Sequence, residues 1–197
     1  ETHSSDPKKG VNAIAIASKL ITLIDHLGME RAKDPIPESP FDLPYATFNV
    51  GTIEGGTVRN ATAGWCNFDW QYRQMPNEDG AKTIAEIENY AAKLIPAMKA
   101  INQKCDIRII TEVAAPGMDN DNALDAAAFV SEITGINRQG VVSFGTDGGY
   151  FSASGYSTVV FGPGSISRAH RPDEYITIQE LSQGLAFLKK IADRLSD

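Results

Sequence analysis

The residues that could carry chemistry are densest in one loop near the end of the chain. The loop covers positions 161–175, reads FGPGSISRAHRPDEY, and directly follows an apolar stretch. Gly162 and Gly164 would let the backbone approach a ligand and turn N–H groups toward an anion, while His170 could bind a metal or move a proton. Zinc needs three or four ligands, so one histidine beside acids fits an exposed turn equally well. The residue types alone therefore leave the chemistry of this loop open.

Four further polar residues could contact a ligand, although each also has an ordinary structural explanation. His3 would be an exposed residue in front of a helix. Arg73 follows a predicted strand and could bind a carboxylate through two hydrogen bonds, or merely end that strand. Asn60 and Asp147 lie in glycine-rich segments where turn residues are common. His26 is expected at the carboxyl end of the first helix, which explains it without a functional role.

Two helices are predicted in the first half of the chain. Apolar residues recur at steps of three and four from Val11, which predicts a helix that ends near Gly28. A serine or aspartate at positions 4–6 would cap this helix. The second helix is predicted at 81–101, where Pro96 should bend or interrupt it.

Three strands accompany these helices, at 45–54, 65–72 and 106–113. The order helix, strand, strand, helix, strand lacks only a first strand to complete a ferredoxin-like βαββαβ domain. We therefore expect the sequence to start inside a longer polypeptide. Residues 1–114 would form this domain, because small residues with Pro and Gly break both periodicities from Ala114 onward.

Residues 115–197 are predicted to form a second unit. The elements expected there are helices at 124–133 and 178–195 and short strands at 141–143 and 158–161. Thr177 and Glu180 would begin the last helix as a capping box. Alternating strand and helix is typical of an α/β layer, but two short strands are too little sheet to stand alone.

Composition favours an ordinary globular protein. The net charge is −7, and no cluster of Lys and Arg could neutralise a run of phosphates, so nucleic acid is not an expected partner. No stretch reaches the roughly 18 uninterrupted apolar residues of a membrane helix, and no signal peptide is visible. Cys66 and Cys105 are expected to be buried free thiols, which favours the cytoplasm.

Five motifs, taken in order, resemble the acetylornithine deacetylase and succinyl-diaminopimelate desuccinylase family of dizinc metallohydrolases. They are ETHSSDPKKGVNAI, NVGTIEGGTVRN, RQMP, GTDGGYF and GPGSISRAHRPDEY. The resemblance covers essentially the whole chain, and the last motif is more similar to acetylornithine deacetylases than to desuccinylases. It implies a zinc-dependent hydrolase that removes the acyl group from a small N-acyl amino acid, namely N-acetylornithine in arginine biosynthesis.

The resemblance also implies an α/β fold in two parts. Residues 1–114 would be an α+β lid of the ferredoxin-like type through which the protein forms a homodimer. Residues 115–197 would be the C-terminal part of a zinc-peptidase-like α/β/α catalytic domain. His170 would bind one of two zinc ions, for which cobalt can substitute. His3 would be the catalytic residue that enters the partner subunit's active site and stabilises the oxyanion.

The remaining site residues follow from the same resemblance. Asn60 and Arg73 would bind the substrate, Arg73 through the substrate carboxylate, while Asp147, Gly162 and Gly164 would line the same pocket. The family's bridging aspartate and adjacent pair of glutamates have no counterpart here, since the sequence contains neither an H-x-D motif nor a Glu-Glu pair. The chain by itself is therefore expected to be inactive.

Other functions remain open on the sequence. The protein could be a succinyl-diaminopimelate desuccinylase or a related metallopeptidase. It could also be a non-catalytic module in which the lid only dimerises, because a sheet with an exposed edge can pair with a second copy. A small-ligand sensor without chemistry is a further alternative.

Overall fold

The computed structural model describes residues 1–76, 78–118 and 123–196. Contacts divide the chain into two compact units, Glu1–Ala114 and Ala115–Asp197. Within the described ranges, none of the helices combines the length and apolar character needed to cross a membrane.

The first unit packs two helices against a two-stranded antiparallel sheet. Its elements are α1 (Ala13–Lys33), β1 (Thr47–Gly55), β2 (Cys66–Arg73) and α2 (Gly80–Ile101). In the sheet, Phe48 lies opposite Tyr72 and Val50 opposite Trp70, with an irregularity between Val50 and Thr52. All four elements lie within two residues of their predicted starts, and the two strands also end within one residue of the prediction.

The core of this unit lies between the helices and the sheet. Ile24 and Ile87 are each only 1% exposed, and they are joined by Leu20, Leu27 and Ala91. Alternate side chains of both strands pack against this cluster, namely Phe48, Val50, Phe68 and Trp70. The spacing of three and four that predicts the helices thus marks the faces that the helices bury.

Helix α1 differs from its prediction at both ends. Its cap is Asn12, whose side chain accepts a hydrogen bond from Ala15 N at 3.2 Å, so the predicted cap at positions 4–6 is wrong. The helix also continues past Gly28 to Lys33, because a single glycine costs only about 1 kcal/mol and Leu27 beside it is buried. His26 is therefore inside the helix rather than at its carboxyl end.

Helix α2 runs through Pro96 without interruption. A proline inside a helix removes one backbone hydrogen bond and usually breaks the helix. Here Ala91 and Met98 are buried on either side of it, so packing holds both halves in one helix. The predicted interruption at Pro96 is wrong.

The predicted strand at 106–113 is also wrong. Ile107 and Ile109 alternate inward and pack against the core, as a strand would, but the described residues give this segment no ladder partner. A ferredoxin-like sheet pairs its last strand with its first. Since no such first strand is present among the described residues, the segment stays extended and unpaired.

The second unit is helical in the ranges that the structure describes. Its elements are α3 (Leu124–Thr134), α4 (Gly148–Ala153) and α5 (Ile178–Ser196). The strands predicted at 141–143 and 158–161 are wrong, because neither segment has a neighbouring strand to bond with in this unit. Helix α4 replaces a predicted glycine-rich turn; a side chain on Gly149 would overlap the carbonyl oxygen of Pro116.

The capping box of α5 is confirmed. Glu180 N donates to Thr177 Oγ1 at 3.1 Å, and Thr177 N donates to Glu180 Oε2 at 2.9 Å. These reciprocal hydrogen bonds satisfy two donors at the start of the helix.

Candidate active site

The first group of candidate residues lies where the start of the chain meets the loop between β1 and β2. Residues 2–4 run beside residues 60–62. Two backbone hydrogen bonds join them, Ser4 N to Asn60 O at 2.9 Å and Thr62 N to Thr2 O at 2.8 Å, and together they form a β-bridge between His3 and Ala61. The structure therefore brings His3 and Asn60 together.

This contact is close because two glycines leave room for it. A Cβ atom on Gly10 would lie 2.5 Å from Thr2 Cγ2, and one on Gly64 would lie 2.5 Å from Glu1 Cγ. Neither distance is compatible with a Cβ atom unless the side chains of Thr2 and Glu1 move. Gly10 belongs to the first sequence motif, so its position there has a steric reason.

The imidazole of His3 is exposed and has a defined hydrogen-bond pattern. Ser5 N donates to His3 Nδ1 at 3.3 Å, and Ser5 Oγ lies 2.8 Å from the same atom. A backbone N–H can only donate, so Nδ1 accepts and the ring hydrogen is on Nε2. Nε2 has no hydrogen-bond partner within the described part of the chain. It can donate a hydrogen bond to an anionic oxygen.

Arg73 lies at the opposite end of the hairpin. The loop with Asn60 precedes Cys66 at the start of β2, whereas Arg73 is the last residue of that strand. Eight residues of strand extend over about 23 Å. Arg73 is exposed, and its Nε donates to Gln71 Oε1 at 3.2 Å. Within one chain, Arg73 therefore lies at the other end of β2 from His3 and Asn60.

A partly buried polar cluster lies beside Arg73, and none of its members stands out in the sequence. Arg31 Nε donates to Glu78 Oε1 at 3.2 Å, and Arg31 Nη2 donates to Thr83 Oγ1 at 3.2 Å. The hydroxyl of Tyr72 is buried near Thr83 and Glu78, and burial raises the pKa of Tyr72 to about 12. The partners of Arg31 are 47 and 52 residues away in sequence, so no local pattern could reveal them.

In the second unit, the backbone of the His170 loop is fixed by its own side chains. His170 adopts a left-handed conformation with φ of 56°, and its N–H donates to Glu174 Oε2 at 2.9 Å. Arg168 forms an ion pair with Glu180 of α5 and lies 4.7 Å from the ring centre of Tyr175. The imidazole of His170 is thus presented to solvent on a defined backbone.

The glycines of this loop and Asp147 lie on the surface. Gly162 and Gly164 are exposed, and Gly164 has a φ of 98°. Pro163 between them packs on α5, where a Cβ on Gly184 would lie 2.8 Å from Pro163 Cγ. Asp147 is exposed in front of α4, and its carbonyl accepts a hydrogen bond from Tyr150 N at 3.0 Å.

Comparison with known protein families decides the relationship. The family model of the M20 peptidase dimerisation domain matches residues 1–99, which is just over half of the chain. The chain belongs to the M20 family. This confirms the resemblance drawn from the five motifs.

Two M20 relatives show how far the similarity extends. The acetylornithine deacetylase of Myxococcus xanthus is 30% identical over 193 residues, which cover 96% of this chain and 48% of that protein. The acetylornithine deacetylase of Proteus mirabilis is 31% identical over 177 residues, which cover 88% and 43%. The chain spans about half the length of these relatives.

A solved structure supports the fold. Aminopeptidase PepT from Bacillus cereus superposes with a TM-score of 0.55 at 22% sequence identity, over all of this chain and 49% of the other. At this identity the likeness concerns the fold alone. Together with the dimerisation domain, it confirms the mixed helix-and-sheet class with an α+β lid.

The part of this M20 chain that the structure describes does not form a metal site by itself. In the ranges that the structure describes, no group of three or more His, Cys, Asp or Glu could hold an ion. Zinc is bound by three or four protein ligands. His170 can supply one ligand, and the others would have to come from outside the described residues.

The Arg168–Glu180 pair makes the stability of the His170 loop depend on acid pH. The hydrogen bond from Arg168, with those from Thr177, lowers the pKa of Glu180 from 4.5 to about 2. Because the pKa of Glu180 is lower in the folded state than in the unfolded state, the ion pair stabilises the loop fully above pH 4.5. This stabilisation is lost as the pH falls toward 2.

We expect Glu180→Gln to be less stable than the parent chain at about pH 6, and the difference to vanish near pH 2. Urea unfolding at a series of pH values measures this difference. Glu132→Gln is the matched control, because the Arg194–Glu132 pair is more exposed and should give a smaller difference. An equal difference at both pH values would contradict the prediction.

Proposed function

We propose that the protein to which this chain belongs removes the acyl group from a small N-acyl amino acid, with N-acetylornithine as its substrate. The observation that carries the proposal is the backbone pairing of residues 2–4, which include His3, with residues 60–62, which include Asn60, at the edge of the dimerisation domain. The similarity to proteins named acetylornithine deacetylase supports the substrate. Free Cys66 and Cys105, each only partly buried, fit a reducing compartment, and we infer the cytoplasm.

Each candidate residue has a role that its geometry allows. His3 Nε2–H would donate to the oxyanion that forms when the amide carbonyl is attacked. Asn60 beside it would orient the substrate, and Arg73 would bind the carboxylate through two hydrogen bonds. Asp147, Gly162 and Gly164 would line the pocket around the substrate.

We propose zinc as the metal, with His170 as one of its ligands. Bound zinc would lower the pKa of a water molecule and polarise the amide carbonyl. The described residues offer no group of three or more His, Cys, Asp or Glu that could hold the ion, and the family's adjacent pair of glutamates has no counterpart in the sequence. The 197-residue chain alone should therefore bind substrate weakly and hydrolyse nothing.

The length of the hairpin supports action as a homodimer. N-acetylornithine is on the order of 10 Å long, whereas the ends of β2 are about 23 Å apart. The substrate alone is therefore too short to span the two ends of β2. In a dimer formed through the lid, His3 and Asn60 of one chain would complete the site that contains the partner's Arg73.

The test is hydrolysis by the natural full-length protein loaded with zinc. N-acetylornithine should release acetate, and removal of the metal with a chelator should stop the reaction. Faster release of succinate from N-succinyl-diaminopimelate would instead identify a desuccinylase. Hydrolysis of neither substrate by a protein that still dimerises would overturn the enzymatic proposal in favour of a dimerisation module.

A further inference from the structure

We propose that Glu78, held by Arg31, is a positioning residue that fixes Arg73 for carboxylate binding. The inference rests on the proposed function, because it assigns a support to the residue that would bind the substrate carboxylate. It is carried by the contacts on both sides of Arg73 in the chain.

On the carboxyl side, Glu78 closes the turn that begins two residues after Arg73. Its side-chain Oε2 accepts from Met75 N at 3.2 Å, and its own N–H donates to Met75 O at 3.0 Å. Met75 is only 9% exposed. Glu78 therefore holds the backbone of Met75 at two points, and the path of the chain out of β2 is fixed.

On the amino side, Tyr72 anchors the end of β2. Its ring stacks on Phe48 with centroids 4.8 Å apart and an interplanar angle of 20°. After Arg73, the side-chain amide of Gln74 lies against Gly80, where a Cβ atom would overlap its oxygen. Arg73 thus lies between two fixed neighbours while its own side chain remains exposed.

Arg31 connects this turn to both helices of the unit. It lies in the last turn of α1, and its guanidinium bonds Glu78 and the 2% exposed Thr83 of α2, each at 3.2 Å. The side chains of Arg31 and Glu78 are 38% and 21% exposed, so the pair is partly shielded from water. A guanidinium that makes two fixed hydrogen bonds loses little freedom for each. Through Arg31, the turn is consequently held by both helices as well as by the sheet.

The consequence for function concerns substrate affinity. A guanidinium and a carboxylate form two parallel hydrogen bonds only in a narrow range of geometry. The carboxylate takes no part in the bonds that form and break, so it would be bound alike in the ground state and the transition state. Misplacing Arg73 should therefore raise KM and leave kcat unchanged.

The first experiment is Glu78→Gln in the natural full-length enzyme. We expect KM for N-acetylornithine to rise about tenfold and kcat to stay within about twofold, because glutamine loses the ion pair with Arg31. Asp79→Asn is the matched control, since Asp79 is the next residue and forms an ion pair with exposed Lys82. It should leave both constants unchanged.

A second measurement separates positioning from a general loss of structure. The N-acetyl diamine that matches the substrate but lacks its carboxylate should be hydrolysed equally by the parent enzyme and Glu78→Gln. In an Arg73→Ala background, Glu78→Gln should add no further rise in KM. A drop in kcat on both substrates, or a full additional rise in that background, would overturn the proposal.

The outcome for Arg73→Ala alone tests the proposed function instead. An unchanged KM in that variant would remove the carboxylate contact of Arg73 itself, whatever Glu78 does. If Glu78→Gln fails to fold, Arg31→Lys gives the same test, because lysine keeps the charge and cannot reproduce both hydrogen bonds. It should raise KM by a smaller factor with kcat unchanged, and an unchanged KM would count against the proposal.

Discussion

His170→Asn is expected to lower kcat of the natural full-length enzyme by at least about 100-fold and to reduce its zinc content by about one ion per subunit. The reason is the loss of an imidazole ligand from the metal site that we propose. Asparagine is preferred to alanine because it tolerates the left-handed backbone at this position, where φ is 56°. The hydrogen bond from the backbone N–H to Glu174 does not depend on the side chain and should persist.

The control for this prediction is His26→Asn. His26 is exposed on α1 and lies 3.9 Å from Glu30, so its replacement should change neither rate nor metal content. Zinc is measured by elemental analysis of dialysed protein, and the rate by acetate release. Full zinc content together with the parent rate in His170→Asn would show that His170 is not a ligand.

The helices are the part of the fold that the sequence predicts well. Helix α1 buries Leu20, Ile24 and Leu27, which stand four and three positions apart, and this spacing is visible in the sequence. The start of α5 is equally readable, because Thr177 and Glu180 interact across one turn. Helices are predictable because their periodicity and their capping hydrogen bonds involve residues that are close in sequence.

The strands show where such prediction fails. Residues 106–113 have the alternation of a strand, and Ile107 and Ile109 do face the core. A strand, however, is defined by hydrogen bonds to a neighbour, and the described residues offer this segment none. Residues 158–161 of the second unit also lack a strand partner among the described residues, and there Val159, Val160 and Phe161 are exposed. Alternating apolar residues therefore indicate an extended segment. That segment becomes a strand only when a neighbouring strand is present to form hydrogen bonds with it.

Some features of the candidate site are likewise predictable from the sequence, and others are not. His3 and Asn60 are 57 positions apart, so no local sequence pattern connects them. From the sequence, only the family resemblance places both in one site. Their separation from Arg73 follows from the hairpin, whose length is predictable once both strands are assigned. The support from Arg31 and Glu78 is not predictable, because both are ordinary charged residues at the ends of helices and turns.

His3→Ala in the full-length enzyme should reduce kcat for N-acetylornithine by about 10²- to 10³-fold, with little change in KM. The expected loss is that of one preorganised donor to the oxyanion. Ser5→Ala is the matched control, because it removes the hydroxyl near His3 Nδ1 and leaves the backbone N–H bond and the imidazole in place. It should cost far less. Comparable losses in both variants would mean that the loop, not the imidazole donor, matters.

Mixing two inactive variants decides in which subunit His3 acts. In a dimer of one His3→Ala chain and one His170→Asn chain, a His3 that crosses to the partner leaves one site with both residues intact. Random pairing after subunit exchange makes about half of the dimers mixed, so activity should recover to about a quarter of the parent value. If His3 acts within its own chain, every site lacks one of the two residues and the mixture stays inactive. Recovery would therefore show that each active site is built from two chains.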